Sequence, residues 1–522
     1  MSFSSTFDVL LQGYTPSILL GIAAVVLVCW QRLSVKCDPQ EPPLLKPSIP
    51  YIGHIIGLLR YNGEYFEKLN AIKPFPIATL PMINGKLYVI TSPALVQSAY
   101  RNKNLSFDPF MKEFAQKMLQ LSEEVMVPLK NDPGFIPDMV KVIHGSMLGE
   151  HLYKMNADAL NDVAITINKL TDTFNPDSLY LWIRETLTMA TCNTLLGSHN
   201  PMKDDKSLVD ALWDFEAGLF SLVLGIMPSI VAPKAYKARE TVQAALRTYY
   251  GHGYDLEPDV AKLTKARAEH YRRYKLSSKD IGDFELALLH VSTANAVPTV
   301  FWLVAFIVSD PALVATLREE LKSVITISKL KGGKRQAKID ITRLDPDCPL
   351  LVSSYREVVR LVNSQLGTRR VMADCTISDG KSTYLLRKGW DINMPSGVSH
   401  LSTESWGPNA ASFDARRFMK LDVKEVMSEK AKEEKRAYIP FGGGKHLCPG
   451  RNFAFAEILG FTAALVMGFD VKAKDGGLIT VPVIRRAKLG EAVSKPEGDG
   501  LTMGAKITRR AGWEDVVWEF TT

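Results

Sequence analysis

The sequence predicts a mainly α-helical protein with a smaller β-rich part, preceded by one N-terminal transmembrane helix. Apolar side chains recur at helical spacing, with short breaks, from about residue 110 to residue 325. Strand-like runs such as RRVMADCTI cluster between residues 367 and 395. Residues 9–31 hold no charged side chain. With no internal repeat visible, we expect one helix-rich body behind a membrane anchor.

The anchor is predicted over residues 1–32. Its centre, SILLGIAAVVLVCW (residues 17–30), is almost wholly apolar, and the uncharged stretch approaches the ~20 residues that cross a bilayer. Arg32 and Lys36 follow it, whereas only Asp8 precedes it, so the positive-inside rule places the downstream chain in the cytosol. A cleaved signal peptide is the alternative, but a charged n-region and a small-residue cleavage site are not evident.

A proline-rich linker is predicted between the anchor and the body. Residues 33–50 include DPQEPPLLKPSIP, and each proline fixes φ and lacks an amide to donate. A helix is therefore excluded, and the segment is predicted to be a semi-rigid spacer in front of residues 51–522. In that body, GKLYVITSP (residues 85–93) predicts a strand ending in a turn, and the following ALVQSAYR predicts a helix.

Charge and cysteine content exclude several classes of protein. The formal net charge of +7 is mild, and no dense basic run is interleaved with aromatic residues, so nucleic acid is not an expected partner. A solvated basic surface is the simplest interpretation, with an acidic protein or an anionic membrane face as alternatives. The six cysteines include no C-x-x-C pair, which argues against a disulfide scaffold and against a zinc site.

One cysteine lies in an unusual stretch of backbone, FGGGKHLCPGRNFAFAE (residues 441–457). Pro449 suits the first position of a helix, which would put Cys448 at the helix N-terminus. Unpaired amides and the helix dipole stabilise a thiolate there. Gly442 and Gly444, with the glycine between them, would let the backbone fold tightly and approach a flat group closely. This backbone therefore favours a cysteine that acts as a ligand.

The side chains around this cysteine favour a planar metal centre. His446 and Arg451 can offer cationic or hydrogen-bonding groups to anionic edges. A single thiolate in a close-fitting loop suits a metal whose other ligands come from a macrocycle, and haem accepts cysteine as an axial ligand. A helix-capping loop with a buried structural cysteine is the alternative.

Five positions of this stretch, Phe441, Gly444, His446, Cys448 and Gly450, match the pattern F-x-x-G-x-[HR]-x-C-x-G. The chain thereby resembles the cytochrome P450 superfamily in its haem-binding loop. The resemblance implies a cytochrome P450 fold and a haem-thiolate catalytic domain over residues 51–522, with haem b as cofactor and Cys448 as the metal ligand. The contacts that it implies in this loop are Phe441, Gly442, Gly444, His446, Cys448 and Arg451.

Two further motifs support the resemblance. Glu357 and Arg360 in SYREVVR share one helix face and are similar to the family's E-x-x-R. Arg417 in FDARRF matches the arginine of the family's P-E-R-F segment, although Ala415 and Arg416 replace its Pro and Glu. The implied role is a buried charge network that holds the haem loop. His400, in SGVSHLSTESWGP, also occupies a position where the family often has histidine.

Contacts to the haem propionates are implied by weaker matches. Arg369 matches the family's arginine just after the E-x-x-R helix, and Arg370 beside it is a rival. The family's W-x-x-x-R motif is missing from this sequence. His151 or Lys154, both in GEHLYK, are the predicted substitutes.

The distal helix of the family should correspond to LLHVSTANAVPTVFWLVAFIVSDP (residues 288–311), and here the sequence departs from the common pattern. The acid–threonine pair is absent. Pro298 cannot donate a backbone hydrogen bond, which frees the carbonyl of Ala294 and opens a polar notch. Asn295 could present both a donor and an acceptor there. Asn295, Ala294 and Thr299 are the predicted catalytic positions, and a kinked core helix is the alternative.

This departure resembles the branch that contains cholesterol 7α-hydroxylase, the sterol 12α-hydroxylase of bile-acid synthesis and prostacyclin synthase. The resemblance implies a monooxygenase in the endoplasmic reticulum membrane, single-pass, with its catalytic domain in the cytosol. It would hydroxylate or desaturate a sterol, terpenoid or related polycycle with O2 and electrons from NADPH. The implied partners are NADPH-cytochrome P450 reductase, membrane lipid and a lipophilic small molecule. Lys445 and Arg451 near the cysteine would favour an acidic reductase.

Two alternatives remain open. An isomerase or dehydratase on the same scaffold would act on a peroxide or an epoxide without a reductase, and the absent acid–threonine pair motivates this hypothesis. A membrane-tethered lipid-binding protein without haem is the other hypothesis, and the intact cysteine loop argues against it.

Overall fold

The structure, a computed structural model, describes residues 37–47, 49, 52–83, 85–170, 173–330, 332–419 and 428–522. The predicted membrane anchor (residues 1–32) lies outside this part of the chain and stays a prediction. The boundaries proposed for the linker and the body are likewise predictions.

Helices form most of the described chain, as the sequence predicts. In chain order the α-helices are α1 (Gly53–Tyr61), α2 (Glu64–Ile72), α3 (Pro93–Arg101), α4 (Asp108–Leu119), α5 (Glu123–Asn131), α6 (Phe135–Ser146), α7 (Gly149–Asn168), α8 (Leu179–Leu196), α9 (Pro201–Asp204), α10 (Ser207–Ala217), α11 (Leu219–Leu224), α12 (Pro228–Val231), α13 (Pro233–Gly251), α14 (Lys262–Arg273), α15 (Ser278–Thr293), α16 (Ala296–Val308), α17 (Pro311–Leu321), α18 (Leu344–Asp347), α19 (Pro349–Val362), α20 (Ser396–His400), α21 (Thr403–Trp406), α22 (Glu429–Ala437) and α23 (Arg451–Gly468).

The strands form a smaller β-rich part. They are β1 (Ile77–Met82), β2 (Gly85–Ile90), β3 (Leu105–Ser106), β4 (Thr173–Phe174), β5 (Ile325–Lys329), β6 (Arg335–Asp340), β7 (Leu366–Val371), β8 (Cys375–Ser378), β9 (Thr383–Leu386), β10 (Asp391–Pro395), β11 (Phe469–Ala473), β12 (Ala505–Arg509) and β13 (Val516–Thr521). The largest sheet has the order β1-β2-β10-β7-β3. Its pairs are antiparallel except β2–β10, which is parallel. The predicted strand and helix at residues 85–101 are confirmed as β2 and α3.

The core lies mainly between helices, and α16 runs through it. Phe301, Trp302 and Leu303 on α16 are fully buried, as are Leu459 and Phe461 on α23, which packs against it. A helix that is apolar on every side is stable only when protein surrounds it, which explains the unbroken apolar run of α16. The remaining helices therefore pack around α16 and α23.

Helices α15 and α16 together form one apolar run, Ser278–Val308. Within the described part of the chain, this is the one helical stretch long and apolar enough to cross a membrane. Protein buries 78% of its most apolar window. We therefore interpret it as a core element of the folded domain.

Part of the proline-rich segment packs against the largest sheet. The backbone amide of Leu45 donates to the carbonyl of Thr79 at 2.9 Å, and the amide of Thr79 donates to the carbonyl of Pro43 at 2.8 Å. The buried carboxylate of Glu41 accepts a hydrogen bond from the hydroxyl of Tyr88 at 2.6 Å. These contacts extend the sheet by a short stretch along β1, so this part of the segment follows the domain closely.

The mixed-charge stretch at residues 424–438 falls partly outside the described residues. Its described part forms α22, whose charged side chains are mostly exposed and pair with each other, as Lys432 does with Glu429 at 2.6 Å. This part of the stretch therefore forms a solvated helix surface.

Candidate active site

The cysteine loop, defined here as residues 439–450, connects helix α22 to helix α23. The amide of Cys448 donates to the carbonyl of Phe441 at 3.1 Å, which closes the loop on itself. Helix α23 begins at Arg451, two residues later than the predicted start at Pro449. The Arg451 side chain donates to the carbonyl of Cys448 at 2.9 Å. Cys448 therefore precedes the helix by three residues and is held by both ends of the loop.

Burial and hydrogen bonding act on the Cys448 thiol in opposite directions. Burial raises its pKa, while the backbone amides of Gly450 and Arg451 and the charge of Arg451 lower it. Burial is the larger effect on the thiol, and the amides oppose it in the direction that the sequence predicts. The amides do point at the sulfur, as predicted. Coordination to a metal cation deprotonates a thiol outright, and these donors would then stabilise the bound thiolate.

Two glycines in the loop have backbone conformations that other residues rarely adopt. Gly442 has φ of +70° and Gly444 has φ of +65°. A Cβ at Gly444 would lie 2.4 Å from the backbone carbonyl oxygen of Tyr100, a contact that no rotation of a side chain could relieve. The predicted tight fold of this stretch is therefore present, and α3 is the element that approaches it.

The predicted charge network lies buried behind the loop. Arg360 donates two hydrogen bonds to the carboxylate of Glu357, both at 2.8 Å, and both residues are fully buried. Arg417 donates to the same carboxylate at 2.8 Å and to the carbonyl of Trp406 at 2.9 Å. Arg360 also donates to the carbonyl of Ala410 at 2.7 Å. Each charge thus has a partner, which a buried charge requires.

His400 and Asn363 connect this network to the cysteine loop. The backbone amide of Ile439 donates to Nε2 of His400 at 3.1 Å, and Nδ1 of His400 lies 3.1 Å from the carbonyl of Asn363. This pattern assigns the neutral imidazole with its proton on Nδ1. Asn363 donates in turn to the carbonyl of Pro440 at 3.2 Å. Burial lowers the pKa of His400 to about 3, which keeps Nε2 available as an acceptor.

Arg369 lies at the other end of the loop as a buried cation. It donates to the carbonyl of Gly443 at 3.2 Å, and its guanidinium lies over the ring of Tyr100 at 5.1 Å. Burial lowers the pKa of Arg369, and none of the described acidic residues forms an ion pair with it. A cavity of about 340 Å³ beside it is lined by cationic side chains, including Arg101, Lys103 and Lys445. The nearby carboxylate of Asp108 already pairs with Lys445 at 3.1 Å, so cationic groups remain in excess and suit a further carboxylate.

The rival position, Arg370, already has its partners. It contacts Asp391 at 2.8 Å and Glu113 at 2.6 Å. His446 lies beside Arg369 at the same cavity, and its Nε2 is 3.2 Å from the carboxylate of Asp108 without an aligned hydrogen bond. The geometry therefore favours Arg369 and His446 as the pair that faces an anionic group.

The predicted substitutes for the missing early-helix arginine lie on the first turns of α7. His151 is exposed, and the structure gives it no hydrogen bond or ion pair to any described residue. Lys154 pairs with Asp158 at 2.6 Å. A cofactor contact from His151 stays a prediction. Met147, just before α7, does approach the loop, since its side chain would lie 4.0 Å from a Cβ on Gly450.

The predicted distal helix is split where the sequence predicts a notch. Helix α15 ends at Thr293 and α16 begins at Ala296, with Asn295 as its N-cap residue. Pro298 has no amide, so the carbonyl of Ala294 receives no bond from the residue four positions on. The hydroxyl of Thr299 donates to the carbonyl of Asn295 at 2.7 Å. We call α15, α16 and their junction the split helix.

One face of the split helix is accessible, although most of the helix is buried. Asn295 is exposed and Val291, one turn earlier, is 62% exposed, although Ala294 and Ala296 beside them are buried. Residues four apart lie on the same side of a helix, so these side chains face one common space. The Asn295 side chain makes no hydrogen bond to any described residue, which leaves its amide free for a ligand.

These observations fit a haem. The sulfur of Cys448 carries two amide donors, glycines open the loop, Arg369 lacks an acidic partner next to a cation-lined cavity, and the split helix borders an accessible space. Haem supplies two carboxylates, a flat ring and an iron that accepts a thiolate. The described residues contain no group of three or more His, Cys, Asp or Glu side chains that could hold a metal by themselves.

Several contacts of the site were not predicted. Tyr100 packs its backbone and ring against the cysteine loop, and Asp108 pairs with Lys445 at 3.1 Å on the loop's outer side. Asn363 bridges the charge network and the loop. All three are ordinary residues at helix ends in the sequence, and only the folded chain brings them to the loop.

Comparison of the sequence with known proteins finds matches to cytochrome P450 proteins. The family model described as Cytochrome P450 matches residues 42–482. A cytochrome P450 monooxygenase of Gibberella zeae is 36% identical over 512 residues, covering 97% of this chain and 96% of that protein. Cholesterol 7-alpha-monooxygenase of Cricetulus griseus is 23% identical, covering 93% of this chain and 98% of that protein.

A solved structure supports the fold. Retinoic acid bound cyanobacterial CYP120A1 is similar with a TM-score of 0.65 at 17% identity, covering 91% of this chain and 100% of that one. The mainly helical architecture, the cysteine loop and its charge network agree with the family match over most of the chain. The chain therefore belongs to the cytochrome P450 family, has the cytochrome P450 fold and is an oxidoreductase of the monooxygenase class.

Proposed function

We propose that the protein is a membrane-anchored haem-thiolate monooxygenase that hydroxylates or desaturates a lipophilic polycycle, such as a sterol or terpenoid. One observation carries the proposal: a cysteine loop held by a buried charge network lies in the same domain as a split helix with a free amide at Asn295. The first arrangement suits a thiolate ligand, and the second suits a reacting group beside an apolar substrate.

Haem, when bound, would supply the oxidising chemistry of the site. Cys448 would be its axial ligand, with the amides of Gly450 and Arg451 stabilising the thiolate. Arg369 and His446 would bind its carboxylates, since both line the cationic cavity. Phe441, Gly442 and Gly444 would shape the loop against the ring. The charge network would keep the loop in one conformation.

The split helix would position the reacting groups. Asn295 would present a donor and an acceptor through its amide, and the carbonyl of Ala294 would accept one more hydrogen bond. The hydroxyl of Thr299 is engaged with the carbonyl of Asn295 at 2.7 Å, so its first role would be to hold this geometry. The apolar wall of α16 would exclude water around the substrate.

Electrons would come from NADPH through NADPH-cytochrome P450 reductase. Lys445 is well exposed, and Arg451 lies next to the loop, so a cationic face surrounds the cysteine side. An acidic reductase surface would be complementary to that face. We further propose a single-pass anchor at residues 1–32 in the endoplasmic reticulum membrane, with the catalytic domain in the cytosol.

The proposed substrate class rests on the relatives and on the split helix. One similar protein is named for the oxidation of cholesterol, and another is a cytochrome P450 monooxygenase, nodJ, of Hypoxylon pulicicidum, 28% identical over 510 residues. The missing acid–threonine pair favours a second candidate, a reductase-independent isomerase or dehydratase that acts on a peroxide or epoxide.

A carbon monoxide difference spectrum of the reduced, purified protein tests the cofactor. We expect the strongly red-shifted Soret band of a thiolate-ligated haem, and folded protein without a haem band would contradict the proposal. Turnover of sterols and terpenoids with NADPH and reductase then separates the two candidates. Oxidation that requires reductase supports the monooxygenase, whereas conversion of a peroxide or epoxide without reductase supports the isomerase.

A further inference from the structure

The three-stranded sheet of order β13-β6-β5 ends in a free edge at β5. Strand β6 pairs with β13 on one side and with β5 on the other, and no described strand pairs with the outer side of β5. The last four residues of β5 are exposed. Natural proteins usually shorten, bend or cover such an edge, because its unpaired backbone groups can pair with another chain. This edge instead stays regular over its five residues and is open to solvent.

The hydrogen bonds at both ends of the β5–β6 pair show which backbone groups of β5 face outward. The amide of Leu330 donates to the carbonyl of Lys334 at 2.8 Å, and the amide of Asp340 donates to the carbonyl of Val324 at 3.3 Å. Hydrogen-bonded residues alternate along an antiparallel pair, so the even-numbered residues of β5 bond to β6. The amides and carbonyls of the odd-numbered residues therefore point away from the sheet, where an added strand would pair with them.

The apolar face of the sheet continues to this edge. Ile327 pairs with Ala337, and residues paired across two strands point to the same face. Ala337 is fully buried, as is Ile339 farther along β6, whereas Ile327 is 47% exposed. The protein therefore leaves part of this face uncovered at the edge. A strand added here would cover Ile327 if it carried apolar side chains at every second position.

The hairpin that forms this edge is strongly basic. Residues 325–338 contain no acidic residue and five basic ones, namely Lys329, Lys331, Lys334, Arg335 and Lys338. Arg335 pairs with Asp515, and Lys338 pairs with Glu519 at 3.1 Å. Lys329 and Lys334 form no ion pair with a described residue. Unpaired positive charge therefore lies at the end of the free edge that is nearest the turn.

Charge and backbone geometry together select the occupant of this edge. A second copy of the chain that paired through its own β5 would bring the same lysines together, and like charges across two strands destabilise a sheet. An anionic lipid surface would attract the lysines, but it has no backbone groups to pair with the free amides and carbonyls. An extended acidic peptide matches the backbone edge, the apolar face and the charge at once.

We propose that β5 is a docking edge for an acidic, extended segment of a partner protein, which adds to the sheet as a strand beside β5. The segment alternates apolar side chains, which cover Ile327, with aspartate or glutamate, which is attracted by Lys329 and Lys334. The cysteine loop and the split helix take no part in this contact. The inference therefore goes beyond the proposed function and does not depend on it.

The test uses the full-length protein in nanodiscs of neutral lipid and a fluorescent peptide, Asp-Val-Glu-Val-Asp-Val-Glu. The control peptide, Lys-Val-Lys-Val-Lys-Val-Lys, has the opposite charge. In fluorescence anisotropy we expect the acidic peptide to bind at least about tenfold more tightly than the basic one, and added salt to weaken its binding. Hydrogen exchange resolved to single residues should show new protection at the amides of Ile325, Ile327 and Lys329 when the acidic peptide binds.

Two variants separate backbone pairing from charge. Ile327→Pro removes one outward amide and keeps the bonds between β5 and β6, since proline is tolerated on an edge strand. The double variant Lys329→Glu, Lys334→Glu reverses the free charge. Each should weaken binding of the acidic peptide about tenfold. Lys237→Glu changes an exposed lysine on α13, outside this sheet, and should leave the dissociation constant unchanged. Thermal unfolding of each variant checks that the fold is intact.

Equal binding of the two peptides by the wild type would overturn the proposal, as would binding of neither. Binding of the acidic peptide that Ile327→Pro leaves unchanged in folded protein would also overturn it, because backbone pairing would then play no part. Cosedimentation with phosphatidylserine vesicles that the double variant abolishes, without binding of the acidic peptide, would assign the lysines to a lipid surface instead. The carbon monoxide spectrum tests the proposed function separately, since none of these measurements involves haem.

Discussion

The cysteine side and the split-helix side of the site differ in how completely their polar groups are paired. Behind the cysteine loop, Glu357, Arg360, Arg417 and His400 each have defined partners, and the bonds continue to the backbone at Ile439. On the split helix, the amide of Asn295 makes no hydrogen bond to a described residue. On the cysteine side the protein itself supplies these hydrogen-bond partners, whereas on the split helix the amide of Asn295 is left free to bind a ligand.

The difference separates two tasks of one site. A cofactor needs one fixed geometry, and a fully paired network provides it because every alternative conformation would strand a buried charge. A substrate needs unmatched donors and acceptors, since its own polar groups must complete them. We therefore expect changes on the cysteine side to affect cofactor binding and stability, and changes on the split helix to affect turnover and selectivity.

The strongest test of the cysteine side is Cys448→Ser. A serine hydroxyl does not replace a thiolate ligand, so we expect complete loss of the red-shifted carbon monoxide band and of turnover. The matched control is Cys375→Ser, which changes a half-buried cysteine on β8 and should leave both unchanged. A normal spectrum in Cys448→Ser would show that another residue is the ligand.

The next largest effect is expected from Glu357→Ala. It leaves Arg360 and Arg417 buried without their carboxylate, and such a loss typically costs about 3–5 kcal/mol. We expect little haem-loaded protein and a large drop in the free energy of unfolding, measured by denaturant titration. Glu319→Ala breaks an exposed pair with Lys322 and should cost about 0–1 kcal/mol. Equal effects of the two variants would contradict a supporting role for the network.

Asn295→Ala should lower turnover without affecting haem binding or stability, unlike the changes on the cysteine side. We expect turnover to fall about 100-fold, the range seen when one positioned donor is removed, while the carbon monoxide spectrum and stability stay unchanged. Val291→Ala, one turn earlier on the same face, is the apolar control and should retain most of the turnover. Loss of haem in Asn295→Ala would erase the distinction between the two sides.

The pH dependence of stability sharpens the comparison further. The pKa of His400 is lowered from its ordinary value of 6.5 to about 3 by burial. The contribution of neutral His400 to the free energy of unfolding is therefore fully present above about pH 6.5. It declines as pH falls towards 3, by about 1.4 kcal/mol per pH unit.

The measurement compares the free energy of unfolding at pH 7, 6 and 5 between the wild type and His400→Asn. The asparagine amide oxygen can still accept the hydrogen bond from Ile439, but it does not titrate. The difference between the two proteins removes the contributions of other histidines. If the free energy of unfolding changed with pH equally in both proteins, His400 would be excluded as the titrating group.

The smallest effect is expected from Thr299→Val. The hydroxyl of Thr299 already donates to the carbonyl of Asn295, so its removal weakens one local bond by about 0.5–1.5 kcal/mol. We expect turnover to fall less than about tenfold. A loss as large as that of Asn295→Ala would instead give this hydroxyl a direct role with the reacting groups.

The cysteine side of the site was easier to predict from the sequence than contacts between distant parts of the chain. Phe441, Gly444, His446 and Cys448 lie within eight residues, so the chemistry of the loop is visible as a local pattern. The pair Glu357 and Arg360 is similarly local, and its geometry agrees with the prediction. The start of α23 was misplaced by two residues because Pro449 suits a turn as well as a first helical position.

Contacts between distant parts of the chain were not predictable in the same way. Tyr100 meets the cysteine loop more than 300 positions later in the sequence, and Lys495 meets Glu216 across 279 positions. Neither pair leaves a pattern in its own neighbourhood. The burial that raises the pKa of Cys448 was not predictable either, because burial depends on the packing of the whole domain.

The proline in the split helix has a consequence for the thermodynamics of binding. The missing amide of Pro298 is a covalent property, so the carbonyl of Ala294 is available before any ligand arrives. No hydrogen bond has to be broken to open the notch, and no backbone order has to be created. Binding there should therefore proceed with little reorganisation of the backbone, and a preorganised acceptor of this kind loses less conformational entropy when its partner binds.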